Sequence, residues 1–143
     1  MNKWIGAAGV CINNENQLLM VLQGQPEEKK LWTVPSGALE LNETIENCCI
    51  REISEETGYE TRIVKPLFIK EGISYGITVE VHYFEVEVIG GKAQIQDPDH
   101  LIDEIAWKTS DNIMNLELSF SEDRELLISL LKEKSEKNTI LKN

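Results

Sequence analysis

From about Thr44 to Thr57 the pattern TIENCCIREISEET is helical, and Gly58 is a natural stop just past its end. Glu43 and Glu46 near the start suit the positive end of the helix dipole. At about 100° per residue, Glu55 and Glu56 fall within roughly 60° on either side of Glu52. Ile45, Cys48 and Cys49 occupy that same sector one to two turns earlier. A face that begins the helix as core therefore ends it as carboxylate, so the acidic group points toward the protein or the rim of a cleft.

This arrangement carries a cost. Like charges at i,i+4 destabilise an exposed helix by about 0.2 to 0.5 kcal/mol per pair, and acids at a helix C-terminus oppose the dipole. A solvated acidic end is the bland explanation for such a run. The alternative is a cluster of hard oxygen ligands without a lysine for each, which is what Mg²⁺ or Mn²⁺ requires, together with waters and substrate phosphates. Arg51 lies close enough in sequence to orient one carboxylate and leave the others for metal.

Around this helix, IGAAGVCI (5 to 12) and QLLMVL (17 to 22) are β-favouring runs joined by a polar turn, which predicts an opening hairpin. QGQPEEKK is a loop by composition, and Pro35 and Gly37 punctuate the stretch that follows. Two long strands are expected in TRIVKPLFIKEGI and ITVEVHYFEVEVI, with Ser74 to Gly76 as the turn. In the second, Ile77, Val79, Val81 and Tyr83 share one face before Phe84, Val86 and Val88 take over the other, which predicts a sheet covered on both sides or a bulge. DEIAWKT reads as a short final strand, and SEDRELLISLLKEK as an amphipathic helix with Leu126, Leu127, Leu130 and Leu131 inward, before a polar tail from about residue 135 that frays. The order is that of an α+β or α/β/α sandwich in one domain of 143 residues.

With 14 basic against 25 acidic side chains and a net charge of -11, the chain lacks the basic footprint of a duplex nucleic-acid binder. An anionic ligand could approach only with cations between it and the protein. No run reaches the roughly 20 apolar residues of a membrane span, and the opening residues turn polar too soon for a secretory leader, so a cytoplasmic protein is expected. The three cysteines have no metal-ligand spacing and read as small buried apolar residues.

Read from Gly37, GALELNETIENCCIREISEETGY resembles the Nudix box, G-x5-E-x7-R-E-U-x-E-E-x-G-U, where U is a bulky aliphatic. Gly37, Glu43, Arg51, Glu52, Ile53, Glu55, Glu56 and Gly58 stand at the required spacing; Tyr59 replaces the last aliphatic. Seven fixed identities coincide by chance about once in 10⁸ starting points. The box covers 23 of the 143 residues, 37 to 59.

The resemblance implies a Nudix-type α/β/α sandwich, with a mixed β-sheet between helices, that hydrolyses a nucleoside diphosphate linked to another group. It implies Glu52, Glu55 and Glu56 as ligands of Mg²⁺ or Mn²⁺, the backbone carbonyl of Ser36 as a further ligand, and Arg51 as the residue holding a glutamate in place. Glu43 and Gly58 would shape the flanking loops. A small-molecule nucleotide is the implied partner, and homodimers are frequent among similar proteins.

The resemblance implies that the group taking the proton from water is Glu52 or Glu55, or a carboxylate of the loop before the last strand, where Asp97, Asp99, Asp103 and Glu104 are available, as is His100. Glu104 is favoured there as a supplementary ligand or base. His82 reads as a satisfied sheet residue. Trp32 and Trp107 read as core, with stacking on a substrate base at the cleft as the alternative for both, and Trp107 as the substrate-binding candidate. Tyr75 lies 16 positions past Tyr59, where a tyrosine is associated with diadenosine polyphosphate hydrolases. The ranking is a nucleoside triphosphate or related nucleotide first, a dinucleoside polyphosphate second and ADP-ribose third. A Nudix-fold binding regulator without hydrolysis is the rival from another class.

Overall fold

The computed structural model of the protein describes residues 2–96 and 100–142, the last four of these as backbone only. Among the described residues two sheets form. The first has the order β4-β1-β6-β5, from β1 (Lys3–Cys11), β4 (Ser36–Ala38), β5 (Tyr59–Ser74) and β6 (Ile77–Gly91). It is mixed: β1 runs parallel to β6, and the other pairs are antiparallel. The second, β3-β2-β7, is antiparallel throughout and comprises β2 (Leu18–Gln23), β3 (Leu31–Thr33) and β7 (Ile102–Lys108). Helices α1 (Ile45–Thr57), α2 (Ser110–Asn115) and α3 (Arg124–Lys142) complete the fold.

Two apolar clusters show the layering. Cys48, Cys49 and Ile53 of α1 pack on Ala7, Leu19, Phe84 and Val86. On the other side Ile113 of α2 and Leu127 and Leu131 of α3 pack on Val10, Met20 and Tyr83. The consecutive residues Tyr83 and Phe84 thus enter opposite clusters, as strand alternation requires when helices cover both faces. The expected α/β/α sandwich is present, and the β5–β6 register is irregular at three places: Ile89 of β6 is the extra residue at the first, opposite Glu60 and Thr61, and β5 carries it at the other two, between Ile63 and Lys65 and between Pro66 and Phe68.

The opening hairpin is corrected. The turn exists: the Asn13 side chain accepts from the backbone N–H groups of Glu15 and Gln17, and Ile12 bridges Leu18. Beyond it the strands separate into different sheets, because β1 already has β4 and β6 on its two edges and β2 has β3 and β7. Their uninterrupted buried runs, Gly6 to Cys11 and Leu18 to Val21, are those of central strands covered on both faces. Two further differences are the helix α2, closed by a reciprocal capping box between Thr109 and Asn112, and α3, which continues to Lys142 where a fraying tail was expected.

The β5–β6 hairpin turns at Tyr75 and Gly76, both at positive φ (51° and 76°), the geometry that matches strand twist. Helix α1 has the predicted limits. Thr44 accepts from the Asn47 N–H at 3.1 Å, and Gly58, at φ 82°, closes the end by donating to the Ser54 carbonyl at 2.9 Å. No helix among the described residues is long and apolar enough to cross a membrane.

Candidate functional site

Helix α1 lies against the edge strand β4, and the absence of a side chain at Gly37 allows the close approach. A Cβ added there would overlap the Glu52 carboxylate. The Cys48 thiol, one turn earlier, donates to the Gly37 carbonyl at 3.6 Å. The Ser36 N–H donates to Glu56 Oε1 at 3.3 Å, and Glu56 is only 6 % exposed. The strand therefore meets the acidic stripe at two consecutive residues.

Arg51 organises the outer side. Its Nε and Nη2 take both oxygens of Glu43, at 2.7 and 2.9 Å, and Nη2 also donates to the Ala38 carbonyl at 2.9 Å. Nη1 reaches Glu52 at 2.7 Å, Glu40 at 3.2 Å and Glu55 at 3.3 Å. One guanidinium thus ties the loop after β4 to the end of α1 through planar, charge-assisted bonds. The bond from Arg51 holds the Glu43 carboxyl below the usual carboxylate range, and these acids hold Arg51 protonated. At Glu52 burial is the largest influence and raises its pKa, although Arg51 and a hydrogen bond with Glu56 act against it. The loop after β6 closes over the helix end, where Gln94 and Gln96 donate to the Thr57 and Glu55 carbonyls, each at 2.9 Å.

Among the described residues no three carboxylate, imidazole or thiol groups converge closely enough to form a ready cation cage. The fit to a divalent ion rests on donor chemistry. Two carboxylates, Glu52 and Glu56, are withdrawn from water side by side, and Glu55 stands beside them with its side chain 34 % exposed and one bond to Arg51 at 3.3 Å. Oxygen donors concentrated in that way suit a hard cation, which would relieve the repulsion among them.

A cavity of about 680 Å³ has Ser36 in common with this group, while the carboxylates of α1 do not line it. It touches Ser36 at one end and Tyr75 at the hairpin tip, with Trp4, Val34, Tyr83 and Phe120 among its walls. Such dimensions and mostly apolar walls are those of a small-molecule site.

The structure brings Ser36, Arg51, Glu52, Glu55 and Glu56 together, with Gly37 and Glu43, and places Tyr75, fully exposed, on the cavity rim. It does not bring Glu104 to them. Ile105 and Trp107 of β7 pack in the cluster beneath α1, so alternation turns Glu104, which pairs with Leu22, to the opposite face. Trp107 is also corrected as a substrate-binding residue: it sits edge-on to Tyr59 and donates to its hydroxyl at 3.3 Å, away from the cavity lining. Trp32 packs on the other cluster under Lys108. His82 bonds Glu80 at 2.7 Å, a satisfied sheet residue as expected. Asp97 and Asp99 lie outside the described residues.

Sequence reasoning missed Trp4, Lys70 and Phe120 in the cavity wall. The aromatic at position 4 stands immediately before the predicted strand of residues 5 to 12, and an aromatic flanking a strand is the one signal that could have drawn attention to it. For Lys70 and Phe120 there is none, since they belong to segments 50 residues apart in the chain.

Comparison with known proteins gives a consistent result. A family model described as NUDIX domain matches residues 3–130. The protein named "Putative mutator protein MutT4" of Mycobacterium tuberculosis is 31 % identical over 102 residues, covering 67 % of this chain and 39 % of its own length. The "Putative 8-oxo-dGTP diphosphatase" of Bacillus subtilis is 30 % identical over 88 residues, covering 62 % of this chain and 56 % of its own. This chain thus spans only part of both relatives. A solved NUDIX hydrolase from Nitrosomonas europaea superimposes with a TM-score of 0.77 at 21 % identity, covering 96 % of this chain and 90 % of that one, a likeness of fold.

Proposed function

The chain belongs to the NUDIX domain family, and from that premise we propose that it hydrolyses a phosphoanhydride bond in a nucleoside diphosphate linked to another group, with a nucleoside triphosphate or related nucleotide as the leading substrate class. The observation that carries this reading is the Glu52 carboxylate seated in the Gly37 notch beside buried Glu56, at the Ser36 end of a cavity large enough for a nucleoside. The name of the Bacillus subtilis relative, a diphosphatase of a modified deoxynucleoside triphosphate, supports the same class.

In this reading Glu52, Glu55, Glu56 and the Ser36 carbonyl hold Mg²⁺ or Mn²⁺. When bound, the cation neutralises phosphate charge and lowers the pKa of an attacking water. Arg51 acts as a positioning residue: its bonds to Glu43 and Glu52 fix the carboxylates before substrate arrives. Of the two box acids able to take a proton from water, Glu55 is the more accessible, with 34 % side-chain exposure against 14 % for Glu52. It is therefore the better placed base. The acidic surface, repulsive to a polyphosphate on its own, also accounts for a cation requirement.

The test is a panel of nucleoside triphosphates, dinucleoside polyphosphates and nucleoside diphosphate sugars with Mg²⁺ or Mn²⁺, reading phosphate or pyrophosphate. Release from none of them by folded protein at millimolar metal would overturn the reading and leave a binding regulator. Tyr75 on the cavity rim favours dinucleoside polyphosphates as the second class, since an exposed ring there could stack on a second base.

A further inference from the structure

The cavity wall contains an ionic cluster, built on the buried Asp123, that the proposed hydrolysis does not use. Lys70 is the one cation among the described residues lining the cavity. Its ammonium bonds Asp123 Oδ1 at 3.0 Å and lies 3.5 Å from Glu122 Oε2. It also sits 4.2 Å from the Phe120 ring centre and 5.5 Å from that of Tyr83. Asp123 is 5 % exposed, and its second oxygen accepts from the Tyr83 hydroxyl at 2.8 Å. Side chains 53 residues apart are thus locked into one corner of the pocket.

We propose that Lys70 is a specificity-determining residue of this cavity, and that it reads a neutral ring carbonyl on a flat moiety of the substrate, not a phosphate. The inference deepens the proposed function and rests on it. The charge balance decides against phosphate: one ammonium faces the carboxylates of Asp123 and Glu122, and Glu71 also lines the cavity, so the corner is net negative. An ammonium has three N–H donors. One is bonded to Asp123 and Glu122 stands at ion-pair distance, which leaves donor capacity for an uncharged acceptor. The walls choose the shape of that acceptor's carrier, because Trp4 and Phe120, both partly exposed, offer faces on which a planar heterocycle can lie. A sugar would leave most of its hydroxyls against apolar surface.

The experiment compares guanosine triphosphate with 2-aminopurine riboside triphosphate, which lacks the 6-carbonyl and the N1 proton beside it, and uridine triphosphate with its 4-deoxy analogue, which lacks the 4-carbonyl and the N3 proton. With Lys70→Met, which keeps the stem over the rings and removes the donor, KM for the carbonyl-bearing member of at least one pair rises about tenfold, while that of its analogue changes little. Lys70→Arg recovers part of the difference. Because Lys70→Met strands the buried Asp123 carboxylate, the double variant Lys70→Met with Asp123→Asn is measured alongside, and must show the same loss of discrimination. Metal-free titration of the corresponding monophosphates, read by tryptophan fluorescence, separates the two ideas. Discrimination that survives there in a protein that hydrolyses nothing sinks the enzymatic reading and keeps Lys70 as the reader. Equal changes for both members of each pair, or tighter binding through Lys70 when a phosphate is added to the ribose, overturns the assignment.

Discussion

The Glu52 carboxylate occupies the space that a side chain on Gly37 would need. A strand residue and a helix residue are thereby fitted to each other, and the fit withdraws one member of the acidic stripe from water. Gly37→Ala should force Glu52 out of its notch. The displaced group is the far end of a flexible side chain, so the melting temperature should change little. Turnover should fall by about tenfold or more, since displacement of a positioned group by an ångström can cost more than that. Calorimetry and initial rates with Mg²⁺ check both, and an alanine variant as fast as the parent would remove the notch from the mechanism.

Glu56→Gln keeps an oxygen for the Ser36 N–H and removes a buried charge next to Glu52. The metal-free variant should therefore melt at the same temperature or higher. Affinity for Mn²⁺ should drop, and turnover should fall by at least about a hundredfold. An unchanged rate would refute a ligand role for this residue.

Added Mg²⁺ should stabilise the parent. A ligand at a hundred times its Kd contributes about 2.7 kcal/mol, a shift of several degrees that a chelator reverses and that Glu56→Gln diminishes. A melting curve indifferent to millimolar Mg²⁺ speaks against a cation site on α1.

The buried thiols set an alkaline limit. Burial pushes Cys11 and Cys48 up to about 11 and Cys49 to about 12, against roughly 8.5 in an unfolded chain. With the folded values raised, the stabilising contribution is complete below the unfolded pKa and is lost as pH rises through the folded ones. Stability should be level up to about pH 8 and decline steeply from there toward pH 11. Denaturant titrations across that range, with thiolate absorbance recorded in parallel, should show thiolate appearing only as the protein unfolds. Thiolate signal from native protein at pH 9 would contradict the burial.

How far the sequence could be read depended on how far apart the interacting residues lie. The α1 boundaries and the glutamate stripe were legible because capping and helical periodicity join residues three or four positions apart, as in the Thr44–Asn47 cap and the Gly58–Ser54 bond. The β5–β6 hairpin was legible through its short turn. Glu104 and Trp107 were misplaced because a strand's residue types do not say which face meets the site when both faces are covered. The parting of β1 and β2 was hidden for a similar reason, since which edges are already taken is a property of the whole sheet.

By itself, then, the sequence determined a capped helix ending in Glu52, Glu55 and Glu56, set behind Gly37 at the spacing of a family. Only the tertiary structure decided that Glu56 is buried and Glu52 largely withdrawn from water, that Arg51 spans four glutamates, and that Lys70 of the pocket wall meets Asp123. Local conformation follows from neighbours in the chain. Burial and pairing follow from which distant segments close upon one another, and no short stretch of residues records that.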